Sequence, residues 1–325
     1  MRTSRKVASI GAIVALACLP ALAAATGHFD RTLKVSGQVD LDVMTGSGNI
    51  TVHTGNNDSV VVSAKIRASN SWLWGGGDAE ERIRRIEQNP PIQQQGSIIH
   101  IGHTADRDLF RNISIDYDLI VPAQTRLTSQ SGSGDQTING VQLPLTAKTG
   151  SGNISVDNLG ADAKISSGSG DLKIGSVKGM LNASAGSGNI RGEGVAGEIS
   201  ASTGSGDVDL RQVAAGNVKV DTGSGNIKLH GIKGGLRAQA GSGDIQADGE
   251  PTGDWRLSAG SGNITLKLTS QSSFNIDART SSGSLKVSRP VTMQGTMSRN
   301  RIQGKVGNGG PLLDLHTGSG NIYVD

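Results

Sequence analysis

The residue pattern with the most chemical content is the tetrapeptide Gly-Ser-Gly followed by Asn or Asp, which recurs along the chain. Repeats rich in glycine and aspartate can hold Ca²⁺ between carboxylate oxygens, so the motif suggests a calcium site. Asn and Asp interchange at its fourth position, however, and a site that depends on carboxylate charge would resist that exchange. We therefore predict a structural corner, where glycine adopts positive φ and the Asn or Asp side chain bonds turn amides.

Nucleophilic catalysis and metal binding are not indicated either. The motif serine lacks the Gly-x-Ser-x-Gly context, and no His or Asp recurs with it. His100 and His103 lie three residues apart in a predicted strand, which places them on opposite faces and disfavours a shared metal ion. The remaining histidines show no ligand spacing: His28, His53, His230 and His316. The sequence predicts no catalytic residue, no metal site and no cofactor.

A row of cations forms the first candidate ligand face. Six residues occupy strand positions expected to point outward, among Ser, Thr, Asn and Gln: Lys148, Lys164, Lys219, Arg237, Arg256 and Arg279. A basic, hydroxyl-rich face suits an acidic polysaccharide, to which repeated shallow contacts add avidity. The alternative is a solvated face whose charges protect strand edges.

Trp72 and Trp74 form the second candidate, a binding loop flanked by three glycines. Their indole rings could stack on a sugar or enter a membrane interface. The alternative is that they pack beneath a neighbouring helix.

The repeat itself predicts the architecture that carries these residues. Counted from its first glycine, the motif begins at residues 46, 132, 150, 168, 186, 204, 223, 241, 260 and 318, and a degenerate copy at 282–285 lies before the last. From 132 to 260 the steps are 18 or 19 residues, and a fixed short period is the signature of a solenoid.

Apolar residues alternate on both sides of each motif, as in Ile154 and Val156 after it and Val218 and Val220 before it. Each unit therefore has two short strands with one inward face, too little to bury a core alone. Stacked units would pair each strand with its copy one turn along. We predict an all-β fold, a parallel β-solenoid of about 18 residues per coil.

The fourth motif position alternates between acid and amide on successive coils. The residues are Asp135, Asn153, Asp171, Asn189, Asp207, Asn226, Asp244 and Asn263. Stacked carboxylates would repel, whereas an amide between two carboxylates could donate to both. Duplication of a two-coil unit would give the same alternation, and both explanations require coil-on-coil registry.

Residues 1–25 have the pattern of a secretory signal peptide: basic residues, an apolar stretch and a run of small residues. A membrane anchor and lipid attachment at Cys18 are the alternatives. This segment holds three of the 31 basic residues and none of the 28 acidic ones, leaving 28 of each. The remaining chain is neutral, which gives no support for nucleic-acid binding.

Residues 26–131 begin the solenoid and contain an insertion, and residues 132–325 form the regular repeats. Within the insertion, residues 78–87 read as a helix that begins near Asp78 and ends before Asn89-Pro90-Pro91. Ile83 and Ile86 are expected to face the open N-terminal end, where a short capping helix would prevent end-to-end strand addition.

The runs YDLIVPAQTRLTSQSGSGD and KVGNGGPLLDLHTGSGNIYVD, with TGSGNI units between them, resemble a bacterial family of adhesin-like proteins of unknown function. The resemblance covers about residues 30–325 and implies an exported β-solenoid without catalytic residues. We predict a non-enzymatic binding or structural module of the cell envelope, in the periplasm or at the cell surface. Its partner would be an envelope polysaccharide or protein, and it would have no transmembrane segment after cleavage. An envelope-stress accessory protein and a polysaccharide-active β-helical enzyme are the alternatives.

Overall fold

The structure is a computed structural model, which describes residues 25–55, 58–68, 77–104, 106–293 and 298–325. Residues 1–24, with Cys18 and almost all of the expected signal peptide, and the candidate loop of Trp72 and Trp74 lie outside the described residues. None of the described helices is long and apolar enough to cross a membrane.

The described residues form 29 strands, one α-helix and a short 3-10 helix (Arg107–Phe110). In chain order the elements are β1 (Thr26–Lys34), β2 (Val39–Thr45), β3 (Ile50–Thr54), β4 (Ser59–Ala68), α1 (Gly77–Gln88), β5 (Ile92–Gln95), β6 (Ile98–Ile101), β7 (Ile113–Val121), β8 (Thr125–Ser131), β9 (Gln136–Asn139), β10 (Leu145–Thr149), β11 (Ile154–Asp157), β12 (Ala163–Ser167), β13 (Leu172–Val177), β14 (Leu181–Ala185), β15 (Ile190–Val195), β16 (Ile199–Thr203), β17 (Val208–Gln212), β18 (Val218–Ser224), β19 (Ile227–Lys233), β20 (Leu236–Ser242), β21 (Ile245–Glu250), β22 (Trp255–Ser261), β23 (Ile264–Leu268), β24 (Phe274–Ser282), β25 (Leu285–Val287), β26 (Val291–Met293), β27 (Arg301–Val306), β28 (Leu312–Ser319) and β29 (Ile322–Val324).

The strands form two sheets, of 14 and 15 strands. Sheet A runs β1-β4-β7-β3-β9-β11-β13-β15-β17-β19-β21-β23-β29-β25, and sheet B runs β26-β27-β24-β28-β22-β20-β18-β16-β14-β12-β10-β8-β2-β6-β5. The register follows the repeat, because Leu145 pairs with Ala163 and Ile154 pairs with Leu172, each 18 residues along. The predicted all-β, parallel β-solenoid is confirmed.

The inward positions of both sheets carry Val, Ile, Leu and Ala, and they form one continuous buried core. On the outward positions, exposed or half-buried polar residues alternate with them, as in the Leu-Asn-Ala-Ser-Ala sequence of β14. This alternation fixes which side chains face solvent, because a slip of one residue would turn every core residue outward.

The two ends of the solenoid do not follow chain order. At the C-terminal end, β28 and β29 insert between the coil of residue 260 and the degenerate coil of residue 283. The degenerate copy is therefore the last coil in space, although it precedes residue 318 in the chain. On its outer side β24 pairs with β27 in antiparallel fashion, and β27 pairs in the same way with β26, the last strand of sheet B.

At the N-terminal end, helix α1 packs against β1, the edge strand of sheet A, and against its neighbour β4. Ile83 and Ile86 are buried, and the backbone N–H of His28 donates to Glu87 Oε1 at 2.9 Å. The helix ends at Gln88, directly before Asn89 and the two prolines. The predicted capping helix is confirmed.

The corner glycines meet a steric requirement that the sequence did not reveal. The expectation of positive φ holds for the glycine at the third motif position of the C-terminal coils, such as Gly243 and Gly262, but not at Gly152 or Gly170. On those central coils a Cβ atom would lie well inside 3.0 Å of the equivalent glycine of the preceding coil. Glycine is present there because two backbones approach too closely for any side chain.

The fourth motif residues form a continuous hydrogen-bonded stack, which we call the corner ladder. In space it comprises Asp116, Asn49, Asp135, Asn153, Asp171, Asn189, Asp207, Asn226, Asp244, Asn263 and Asn321. At every step a backbone N–H donates to the Oδ1 atom of the preceding side chain.

The expectation that an amide donates to both neighbouring carboxylates was wrong. Four side-chain amides donate through Nδ2 to the preceding carboxylate only: Asn153, Asn189, Asn226 and Asn263. Asn189 Nδ2 donates to Asp171 Oδ1 at 3.1 Å, while its own Oδ1 accepts the N–H of Asp207 at 3.0 Å. Asp116 continues the alternation although it lies outside the motif and is not adjacent to Asn49 in sequence. Duplication of a two-coil unit does not explain that step, whereas avoidance of stacked carboxylates does.

Replacing Asn189 by Asp is expected to lower the free energy of unfolding by about 1–2 kcal/mol. The change stacks three carboxylates on consecutive coils and removes the donor to Asp171. Denaturant unfolding at low and high salt measures the effect. The control is Asn189→Ala, which loses both the donor to Asp171 and the acceptor of the Asp207 N–H but adds no charge. High salt should restore part of the stability of Asn189→Asp only, and an equal, salt-independent loss in both variants would contradict the electrostatic explanation.

Candidate functional site

Three of the six predicted cations stand in one row on sheet B. They are Lys219 on β18, Arg237 on β20 and Arg256 on β22, each the second residue of its strand. The strand pairing places Lys219 opposite Arg237, and Arg237 opposite Arg256. All three are exposed, because each follows the first inward residue of its strand. We call these three residues the basic column.

The other three predicted cations do not extend this row. Lys164 shares it but is separated from Lys219 by Asn182 and Ser200. Lys148 lies one outward position further along its strand, between Gln130 and Ser166. The six residues are therefore not one continuous basic face.

Arg279 is engaged at the C-terminal end of sheet B. Its guanidinium and that of Arg301 both hydrogen-bond Asp277, with closest N···O distances of 3.0 and 2.9 Å. Partial burial opposes ionisation of Asp277, but the hydrogen bonds from the two arginines outweigh it and hold the pKa of this carboxyl below its ordinary value. Arg279 is therefore paired within the fold, although the shared carboxylate leaves one net positive charge on the cluster.

The basic column lines a shallow groove of about 390 Å³. Glu198, Asn217 and Asp254 lie along the groove beside the cations, and the exposed side chain of Met180 lies at the same surface. Nζ of Lys219 lies 3.7 Å from a carboxylate oxygen of Asp221, with both side chains substantially exposed. Exposed pairs of this kind contribute little, so the charge of Lys219 remains accessible.

The column is the longest run of stacked like charges on consecutive strands among the residues that the structure describes. Like charges directly opposite each other on neighbouring strands are destabilising. The corner ladder of the same molecule avoids such stacking at every step. At the end of the column Asp314 is aligned with Arg256 and offsets part of this repulsion. An anionic ligand would relieve the repulsion that remains between Lys219, Arg237 and Arg256.

Two clusters that join different coils were missed by sequence reasoning. His230 lies between Asp248, 2.6 Å from its Nδ1, and Asp209, 3.7 Å from its Nε2. These partners are about one coil away in sequence, so spacing searches within a motif do not find them.

The second cluster corrects the expectation for His100 and His103. Strand β6 ends at Ile101, and Gly102 has φ +81°, so the alternation of faces stops before His103. The two rings lie on the same side, with centroids 5.5 Å apart, next to Asp42.

Comparison with known proteins identifies the repeat region. A family model described as Toastrack DUF4097 matches residues 112–195 and 181–325, more than half of the chain. No curated protein matches the chain.

Two solved structures align over most of the chain. A candidate cell adhesion protein from Clostridium sporogenes shares 12% identity, with coverage of 92% of this chain and 99% of the other and a TM-score of 0.19. A candidate adhesin from Bacteroides fragilis shares 14% identity, with coverage of 92% and 97% and a TM-score of 0.30. At these TM-scores neither likeness bears on the fold or on function.

Proposed function

This chain belongs to the Toastrack DUF4097 family, and from that premise we propose that it is a non-enzymatic, exported binding module of the cell envelope. Its basic column, Lys219, Arg237 and Arg256, binds an acidic polysaccharide. The observation that carries the proposal is the stacking of three exposed cations in a protein whose corner ladder avoids stacked charges.

The spacing of the column favours a polymeric anion over a small one. Neighbouring parallel strands are about 4.8 Å apart, so the three charges span about 10 Å. A ligand that neutralises all three must present several anionic groups along the solenoid axis. The next outward row places Asp221 beside Lys219, Gln239 beside Arg237 and Ser258 beside Arg256. The amide of Gln239 and the hydroxyl of Ser258 can bond sugar hydroxyls.

Export is supported by the three-part pattern of residues 1–25. The shallow groove and the absence of a recurring nucleophile or acid–base pair in the motif favour binding over catalysis. An open face with repeated weak contacts gains affinity from ligand length, as expected for a module that attaches to a polymer.

The test is cosedimentation of the purified protein with polygalacturonate-coated beads and with neutral dextran beads. We expect the wild type to bind the acidic polymer only, and binding to weaken as salt increases. The triple variant Lys219→Gln, Arg237→Gln, Arg256→Gln should bind about tenfold more weakly.

The matched control removes the same number of charges elsewhere on the outward faces, at Lys148, Lys164 and Lys173, each replaced by Gln. Retained binding in this control locates the ligand at the column. Equal weakening in both triple variants would show non-specific attraction and would overturn the assignment. Binding to neither polymer would also overturn it and would favour a protein partner in the envelope.

A further inference from the structure

Asp42, His100 and His103 converge at the N-terminal end of sheet B, away from the basic column. Asp42 on β2 pairs directly with His100 on β6, and both side chains point outward. Gly102 then turns the chain with φ +81°, and its N–H donates to the carbonyl of Pro91 at 2.8 Å, which returns His103 to the same side.

The distances between the donor atoms match those of a metal site. Asp42 Oδ2 lies 3.3 Å from His103 Nε2 and 3.8 Å from His100 Nδ1, and the donor atoms of all three residues lie within 4.8 Å of one another. Three ligands about 2.0–2.1 Å from a tetrahedral zinc ion would be about 3.3–3.4 Å apart. Small movements of two rings would therefore complete the geometry.

The cluster also contains polar atoms without a hydrogen-bond partner. Asp42 Oδ1 and His103 Nε2 are shielded from solvent, and neither has a hydrogen-bond partner among the described residues. Although His103 Nε2 is close to Asp42 Oδ2, the two atoms are not oriented for a hydrogen bond. Shielded polar groups without partners are costly. Metal coordination would satisfy His103 Nε2 directly, and it would satisfy Asp42 Oδ1 when the carboxylate coordinates through both oxygens.

We propose that Asp42, His100 and His103 bind a divalent transition-metal ion of the zinc type. Two imidazole nitrogens and one carboxylate oxygen are donors that suit Zn²⁺, whereas Ca²⁺ and Mg²⁺ prefer oxygen ligands alone. Within the described part of the chain, no other three His, Cys, Asp or Glu side chains converge in this way.

Three protein ligands leave a fourth coordination position open. His103 lines a cavity of about 420 Å³ together with Met44, Gln93, Gly102 and Phe110. Met44 is exposed and follows Asp42 on the same face of β2. Water or a partner's side chain could reach the ion from this cavity, as at zinc sites with three protein ligands.

The ion would join parts of the chain that are distant in sequence. Asp42 belongs to the first coil, whereas His100 and His103 belong to the insertion that closes the N-terminal end. Coordination would fasten this insertion to the solenoid, and binding to the folded state alone would raise the melting temperature.

The test is equilibrium dialysis of the purified, untagged protein against Zn²⁺ after removal of bound metal with EDTA. We expect one ion per chain and a higher melting temperature in the presence of Zn²⁺. His100→Gln and His103→Gln, both at partly exposed side chains, should each weaken binding by more than about tenfold and abolish the thermal shift.

His316→Gln serves as the matched control, because His316 is exposed on β28 of the same sheet. Its Zn²⁺ affinity and thermal shift should equal those of the wild type. The absence of stoichiometric binding to the wild type would overturn the proposal. Equal binding by the wild type and both ligand variants would overturn it as well, since it would place the ion elsewhere.

Discussion

Replacing Gly170 by Ala is expected to lower the free energy of unfolding by about 3 kcal/mol or more. A Cβ atom at this position would overlap the carbonyl oxygen of Gly152 and would also contact the backbone N of Asn153. Both obstacles are backbone atoms of the adjacent coil, so no side-chain rotation can make room. Denaturant unfolding followed by far-UV circular dichroism measures the change.

Gly46→Ala is the matched control for this prediction. Gly46 begins the same motif in the first coil, and no atom lies within 4 Å of a Cβ atom built there. Its φ is not in the left-handed range, so we expect a change within about 0.5 kcal/mol. A similar loss in both variants would mean that the destabilisation does not come from the contact with the adjacent coil.

The position of the substitution adds a second expected signature. Each coil of a solenoid is stabilised mainly by its two neighbours, so a defect at Gly170 weakens the coupling in the middle of the array. The unfolding transition of Gly170→Ala should therefore broaden, with a lower dependence on denaturant concentration than that of Gly46→Ala. A sharp transition with an unchanged slope would show that the whole solenoid still unfolds as one unit.

The coils and their register were predictable because one short period repeats with apolar residues at fixed positions. The order of the last coils was not, because the strand at Ile322 could pair equally well with Ile264 or Leu285 by sequence. In the structure it pairs with both. The antiparallel pairing of β24 with β27 at that end was also not predictable, because the paired residues are not spaced by the period of the repeat.

For the candidate site, alternation predicted correctly that Lys219, Arg237 and Arg256 point outward. The column becomes apparent only when successive coils are aligned residue by residue. The same alignment shows that Lys148 does not belong to the column. The alternation of inward and outward side chains gave the wrong orientation for His103. This alternation holds only within a strand, and the turn at Gly102 interrupts it. Glycine directly before a polar residue was the available sign of this turn.

Replacing Trp255 by Ala is the second change with a large expected effect, about 3–5 kcal/mol in the free energy of unfolding. Trp255 is fully buried on β22, where it pairs with Leu236 on one side and Leu313 on the other. Its Nε1–H donates to the carbonyl of Gly234 at 2.9 Å. The variant would lose the largest buried side chain of this core and leave that carbonyl without its indole donor.

Trp255→Phe separates these two contributions. Phe retains most of the buried ring area but cannot donate to Gly234, so we expect a loss of about 1–2 kcal/mol. Equilibrium unfolding by circular dichroism allows direct comparison, since it does not depend on indole fluorescence. Equal losses in the Ala and Phe variants would assign the stabilisation to the hydrogen bond, whereas a loss below about 1 kcal/mol in Trp255→Ala would show that the neighbouring coils close over the space.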